Sequence, residues 1–186
     1  MTAFVYLLIA LAAAGVLYLL VRKPVREYLR MRGDRVVACP ENAQTVAVRV
    51  DAAHAALTSA GGHERLRLES CTRWPEKAGC GQECLTQIEA QPTDCLVRTK
   101  VQRWYADKAC ALCGAALGHV DWTEHKPALR APDGATLEWS RVPPEKLYEV
   151  MASHAAVCWD CHIAETFRRM RPDLVIDNPH TSPTRH

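Results

Sequence analysis

Nine cysteines in 186 residues carry most of the chemistry that this sequence can offer. They stand at Cys39, Cys71, Cys80, Cys84, Cys95, Cys110, Cys113, Cys158 and Cys161. Two C-x-x-C pairs lie in the second half, Cys110-Ala-Leu-Cys113-Gly and Cys158-Trp-Asp-Cys161-His. Two residues between thiolates let one turn aim both sulfurs at a common centre. Two such pairs supply the tetrahedral sulfur shell that zinc prefers. Cys110, Cys113, Cys158 and Cys161 are therefore the first candidate metal site.

A second set is drawn from the first half. Cys80 and Cys84 are one helical turn apart and face the same way on a helix. Cys39 falls where Val36 to Pro40, a strand pattern, runs into a turn. Cys71 follows a short strand at Leu66 to Leu68. Cys39, Cys71, Cys80 and Cys84 would close a second four-thiolate site and bring the count to two zinc ions. Cys95 is a substitute for any of the four, or a buried free thiol.

Whether such cysteines bind metal or form disulfides depends on compartment. Ala3 to Val21 holds no charged residue. Nineteen residues span roughly 28 Å as a helix, close to the hydrocarbon thickness of a bilayer. A cleaved signal peptide would need a basic segment before the apolar run, and only Met1 and Thr2 stand there. The expected anchor is a single transmembrane helix over residues 1–21. Residues 22–35 then carry Arg22, Lys23, Arg26, Arg30, Arg32 and Arg35 against two acids, a collar of +4. All the juxtamembrane basic charge is on this side. The positive-inside rule thus predicts an inner-membrane protein with the N-terminus outside and the body in the cytoplasm. The six basic residues are expected to face anionic lipid headgroups. The rest of the chain has 17 Lys and Arg against 19 Asp and Glu, so no nucleic-acid partner is expected. Cytosolic thiols stay reduced, which favours metal over disulfides.

The elements that must position these residues are short. Thr45 to Val50 alternates and pairs with Val36 to Pro40 as a hairpin. Asp51 caps a helix over Ala52 to Ser59, ended by Gly61-Gly62. A helix follows Cys84 through Ala90. Leu96 to Asp107 carries an apolar stripe and joins two lobes. Gly114 allows a tight knuckle after Cys113. Gly118 to Thr123 reads as a strand, Pro132-Asp133-Gly134 as a turn, and Thr136 to Trp139 as the return strand. Pro143-Pro144 opens a helix to about Ser153. Cys158 and Cys161 open another, Trp159 to Met170, stopped by Pro172. The expected architecture is α+β: an anchor at 1–21, a basic segment at 22–35, a first lobe at 36–95, a connecting helix at 96–107, a second lobe at 108–172 and a tail at 173–186. Small lobes have small cores, and metal staples are a common remedy.

A knuckle, a hairpin and a second ligand pair at a helix start resemble a treble-clef or zinc-ribbon-like zinc finger. The resemblance covers Lys108 to Arg171 and rests on CALCG, CWDCH and the hairpin between them. It implies one zinc held by Cys110, Cys113, Cys158 and Cys161, and names no reaction. The departure is the 44-residue linker between the pairs.

Three other chemistries compete. Cys158, Cys161 and His162 match C-x-x-C-H, the c-type haem attachment signature. Cys71, Cys80, Cys84 and Cys95 could hold an iron–sulfur cluster. A C-x-x-C at a helix start also suits thiol–disulfide exchange, but that needs a buried strand directly before it, and Glu149 to Val157 reads as helix and loop. Serine-hydrolase, P-loop, dinucleotide and H-E-x-x-H signatures are missing. His162-Ile-Ala-Glu165 places Glu165 as a surface residue or a partner of His162. The expected role is non-enzymatic: an adaptor or accessory subunit meeting a membrane-associated protein partner. An electron-transfer protein with haem or a cluster, and a metal-handling protein, are the alternatives.

Overall fold

The structure, a computed structural model, describes residues 2–62 and 65–174. The tail from residue 175 lies outside them. The chain divides into two compact units. The first runs to Val101 and takes in Pro144–Leu147; the second holds Gln102–Pro143 and Tyr148 onward. The division falls inside the helix at Val97–Tyr105.

Helix α1 runs unbroken over Thr2–Met31 and contains Pro24. The apolar and basic segments are thus one rod, with no new start after the proline. α1 is long and apolar enough to span a membrane, and none of its apolar window is buried. Its last residue, Met31, is buried and joins the core of the first unit.

That core is built on a three-stranded antiparallel sheet, order β1-β2-β3. β1 is Asp34–Ala38, β2 Thr45–Val50 and β3 Leu68–Cys71. Val36 pairs with Ala47, and Val48 pairs with Cys71. Helix α2, Ala52–Ala60, packs against α1, and its Ala52 and Ala55 join the same core as Met31 and the strand valines. Asp51 caps it as its residue type predicts, its carboxylate accepting the His54 N–H at 2.9 Å. β3 lies two residues later than expected and contains Cys71 rather than preceding it. Helix α3, Leu85–Ala90, brings Ile88 into the core. Helix α4 is Val97–Tyr105.

Arg35 departs from the sequence reading. Its type and position place it in the lipid-facing collar, yet it is fully buried. Its guanidinium donates to the carbonyl oxygens of Arg30 at 2.8 Å, Gly33 at 3.1 Å and Pro92 at 3.4 Å, and also to that of Met31. The last carbonyls of a helix have no intrahelical donor, and a planar five-donor fork is well suited to them. Arg22, Lys23, Arg26 and Arg32 remain exposed, and Arg30 is half-buried against Glu27.

The second unit has its own sheet, order β5-β4-β6, with β4 at Ala128–Arg130, β5 at Thr136–Glu138 and β6 at Ala155–Val157. The first strand of the hairpin is therefore β4, not Gly118 to Thr123. Gly118 sits at φ +48°, and the Asp121 carboxylate accepts the N–H groups of Thr123 and Glu124, so that stretch closes on itself as turns. Two single turns of tighter helix follow β5, at Trp139–Arg141 and Pro144–Lys146. Helix α5 is Leu147–Ser153, and α6 is Trp159–Met170. Tyr105 is buried in this unit. It receives the Trp139 indole N–H at 3.1 Å and donates to the Ala128 carbonyl.

Candidate metal centre

The second unit folds its four cysteines onto one point. A narrow ladder around residues 108–117 presents the first pair at its tip. Leu117 N–H donates to Lys108 O and Cys110 N–H to Ala115 O. Gly114 adopts φ +76°, a backbone conformation that a side chain resists, and this reverses the chain directly after Cys113. Ala111 N–H donates to Ala156 O, which ties the knuckle to β6. β6 then delivers Cys158 to the N-cap of α6 and Cys161 to its first turn.

The four Sγ atoms all lie within 4.8 Å of one another. Cys113 Sγ and Cys158 Sγ are 3.8 Å apart. A tetrahedral ion bound at about 2.3 Å separates its thiolates by about 3.8 Å. The set consists of sulfur alone, with its members ranging from buried Cys110 to exposed Cys113. Four sulfurs this close could bind a metal ion, an arrangement consistent with a zinc-ribbon-like site.

The electrostatics divide the set. Burial raises the Cys110 thiol, but hydrogen bonds from the Cys113, Cys158 and Leu112 backbone outweigh it and bring the group down to about 6. Burial pushes Cys158 and Cys161 up, and for Cys161 the neighbouring sulfurs push further. Sulfurs this close cannot all ionise unless a cation lies among them.

The strand before the second pair was not expected. Glu149 to Val157 reads as helix and loop, but its last three residues form β6, with Ala156 and Val157 buried. The strand that exchange chemistry needs is present. Cys158, however, shares its site with two further thiols and its own thiol is pushed up, whereas an exchange nucleophile has its thiol brought down.

His162 is buried, its ring 5.3 Å from that of Trp159. Its Nδ1 is buried with no hydrogen-bond partner, and burial lowers its pKa. Glu165 pairs with Arg168 at 3.4 Å and supplies no hydrogen bond to His162 Nδ1. Asp121, Glu124 and His125 also converge, but all three are partly or fully exposed and the Asp121 carboxylate is occupied by its own turn.

The other five cysteines lie in the first unit. Cys39, Cys71, Cys80 and Cys84 line one cleft of about 450 Å³. They do not draw together as the first set does: no three of their sulfurs fall within 4.8 Å of one another. They are near enough for Cys39, Cys71 and Cys80 to add to burial in pushing the Cys84 thiol to about 11. Arg73 donates to Cys39 Sγ at 3.0 Å and to Glu41 at 2.6 Å. Cys95 lies outside the cleft wall, its Sγ 3.7 Å from the Gln87 carbonyl oxygen.

Two glutamines that sequence reading passed over hold this framework. Gln82 Oε1 accepts the Leu68 N–H at 2.8 Å, pinning the Cys80–Cys84 segment to β3. Gln87 brackets Ala38, accepting its N–H at 3.1 Å and donating to its carbonyl at 2.6 Å. No signal short of the fold distinguishes either from a surface glutamine.

No protein-family model, curated protein or solved structure matches this chain.

Proposed function

We propose that the chain is a single-pass membrane protein whose cytoplasm-facing body is stapled by zinc on Cys110, Cys113, Cys158 and Cys161. Its role on this reading is that of a non-enzymatic adaptor or accessory subunit, holding a membrane-associated protein partner near the bilayer. The observation that carries it is the four-sulfur cluster, whose 3.8 Å contact between Cys113 and Cys158 equals the edge of a zinc–thiolate tetrahedron.

Several features support the finer points. A treble clef pairs a knuckle with a helix start, and Cys110–Gly114 and the α6 N-cap have those places. Sulfurs committed to one centre are poorly disposed to form thioether bonds to a porphyrin, and His162 is enclosed in the core. A closed shell of four thiolates leaves no open position for substrate, which favours a structural over a catalytic ion. The exposed apolar window of α1, followed by four exposed cations, fits an anchor with a basic cytoplasmic flank.

The test is metal analysis of the full chain purified in detergent. One zinc per chain that is lost in Cys161→Ser supports the reading. Iron at this set, visible as colour and lost with the same substitution, overturns it. Orientation is checked separately, by whether an impermeant thiol reagent labels exposed Cys113 from outside intact cells. Labelling overturns the cytoplasmic placement.

A further inference from the structure

We propose that the cleft formed by Cys39, Cys71, Cys80 and Cys84 binds an iron–sulfur cluster rather than a single zinc ion. The contrast between the two cysteine sets of this one chain is the starting observation. In the second unit the sulfurs stand at single-ion separation. In the first unit four cysteines are among the residues lining an open cleft of about 450 Å³, and no three of their sulfurs lie within 4.8 Å of one another. A single ion at about 2.3 Å from each thiolate needs all four sulfurs at about 3.8 Å from one another. A cluster puts its thiolates on different irons, with the sulfide core between them, and so takes the wider ring.

The wider spacing is not slack. Cys39 is set by the turn that returns β1 to β2, where its N–H donates to Gln44 O at 2.8 Å. Cys71 ends β3, and the Gln82 amide holds the following cysteine pair against that strand. Cys84 is the N-cap of α3, whose Gln87 is clamped to Ala38, next to Cys39. Every thiol is on a segment fixed by hydrogen bonds to another.

The walls suit the group. A four-thiolate cluster carries net negative charge; the lining holds Arg73 and Lys77 against Glu41, Glu76 and Glu83, and Arg73, paired with Glu41 at 2.6 Å, also donates to Cys39 Sγ at 3.0 Å. Hydrogen bonds to cluster sulfurs and exclusion of water are the protein's means of setting such a centre's potential. Val46, Leu68 and Trp74 give an apolar wall. Trp74 has its indole N–H buried with no acceptor in the protein, and a sulfide or thiolate sulfur would accept it. Cys95, named with Cys71, Cys80 and Cys84 on spacing alone, is replaced as a ligand by Cys39.

The test uses the full chain in detergent, incubated without oxygen with ferric iron, sulfide and excess thiol, which reduces part of the iron to the ferrous state. Iron and acid-labile sulfide are expected in equal amounts, at two or more per chain, with broad visible absorbance. Cys39→Ser and Cys84→Ser should lose that absorbance, while Cys95→Ser and Cys161→Ser keep it. Arg73→Gln should retain the cluster and shift its midpoint potential downward, a change that loss of fold would not mimic. Absence of sulfide from the wild-type chain, with a second zinc lost in Cys39→Ser, overturns the proposal. So does a cluster that survives Cys39→Ser and disappears with Cys161→Ser. Failure here leaves the zinc reading of the second unit standing, since its readout is a different metal on different residues.

Discussion

The backbone N–H of Cys158 points at the sulfur of Cys110, 48 residues earlier, across 3.3 Å. This contact joins the knuckle to the α6 start directly, before any ion is considered. It is also one of the bonds that hold the Cys110 thiolate near a pKa of 6. A thiol whose folded pKa lies below its unfolded value of 9.0 stabilises the fold fully above about pH 9 and loses that contribution as pH falls through about 6. Chelator-stripped protein should therefore lose denaturation midpoint between pH 9 and pH 6. Cys110→Ser should flatten that dependence. Denaturant titrations at several pH values, wild type against variant, measure it.

Removal of one ligand from the second unit should do more than lower its affinity for metal. Structural zinc in isolated fingers contributes on the order of 10 kcal/mol to folding. Cys161→Ser should leave less than a tenth of the zinc bound under mild chelation. It should also expose residues 108–170 to protease while the first unit stays resistant. Limited proteolysis followed by mass spectrometry separates the two units.

Arg35→Ala should destabilise the first unit by about 3 kcal/mol or more, because it leaves several helix-end carbonyls without a donor. Arg35→Lys should recover only part of this, since an ammonium cannot reproduce the fork. Exposed Arg26→Ala and Arg32→Ala should stay within about 0.5 kcal/mol of wild type. Thermal melts of the four variants give the comparison.

Truncation makes a related point. A fragment beginning at Val36 lacks both Met31 and Arg35, which are fully buried. It should melt well below a fragment beginning at Arg22, which keeps them and drops the apolar window. Side-by-side calorimetry of the two decides this.

Tyr105→Phe should cost about 1–3 kcal/mol, because both the Trp139 indole N–H and the Ala128 carbonyl lose a partner in a buried place. Trp139→Phe, which leaves the tyrosine hydroxyl free to keep its bond to Ala128, should lose less of its effect through hydrogen bonding and more through packing. A double-mutant cycle should show coupling between the two.

The parts of this molecule that were legible in the sequence are those fixed by local chemistry. The alternation in Thr45–Val50, the Asp51 cap and the two C-x-x-C pairs needed no partner to be recognised. The parts that were not legible are fixed by distant atoms. β4 and β6 have three residues each, too few for a period to show, and exist because they pair with each other. Gly118 to Thr123 has strand-forming residues, but one carboxylate at Asp121 turns it. Arg35 belongs by type on the surface, and only the open end of α1 explains why it is inside. Spacing could group Cys80 with Cys84; it could not choose between Cys39 and Cys95.

The join between α1 and the first sheet has a mechanical meaning. Only Arg32 and Gly33 separate the helix from β1, and the buried Arg35 fork spans them. If α1 crosses a bilayer, it leaves it as a stiff mast rather than a tether. Helix α2 packs along that mast, whose Pro24, Glu27 and Arg30 are half-buried and whose Met31 is buried. The first unit is then clasped to the C-terminal end of the mast rather than raised above it. A body carried this way sweeps no volume in search of its target, and whatever it meets must come to the surface beside the anchor.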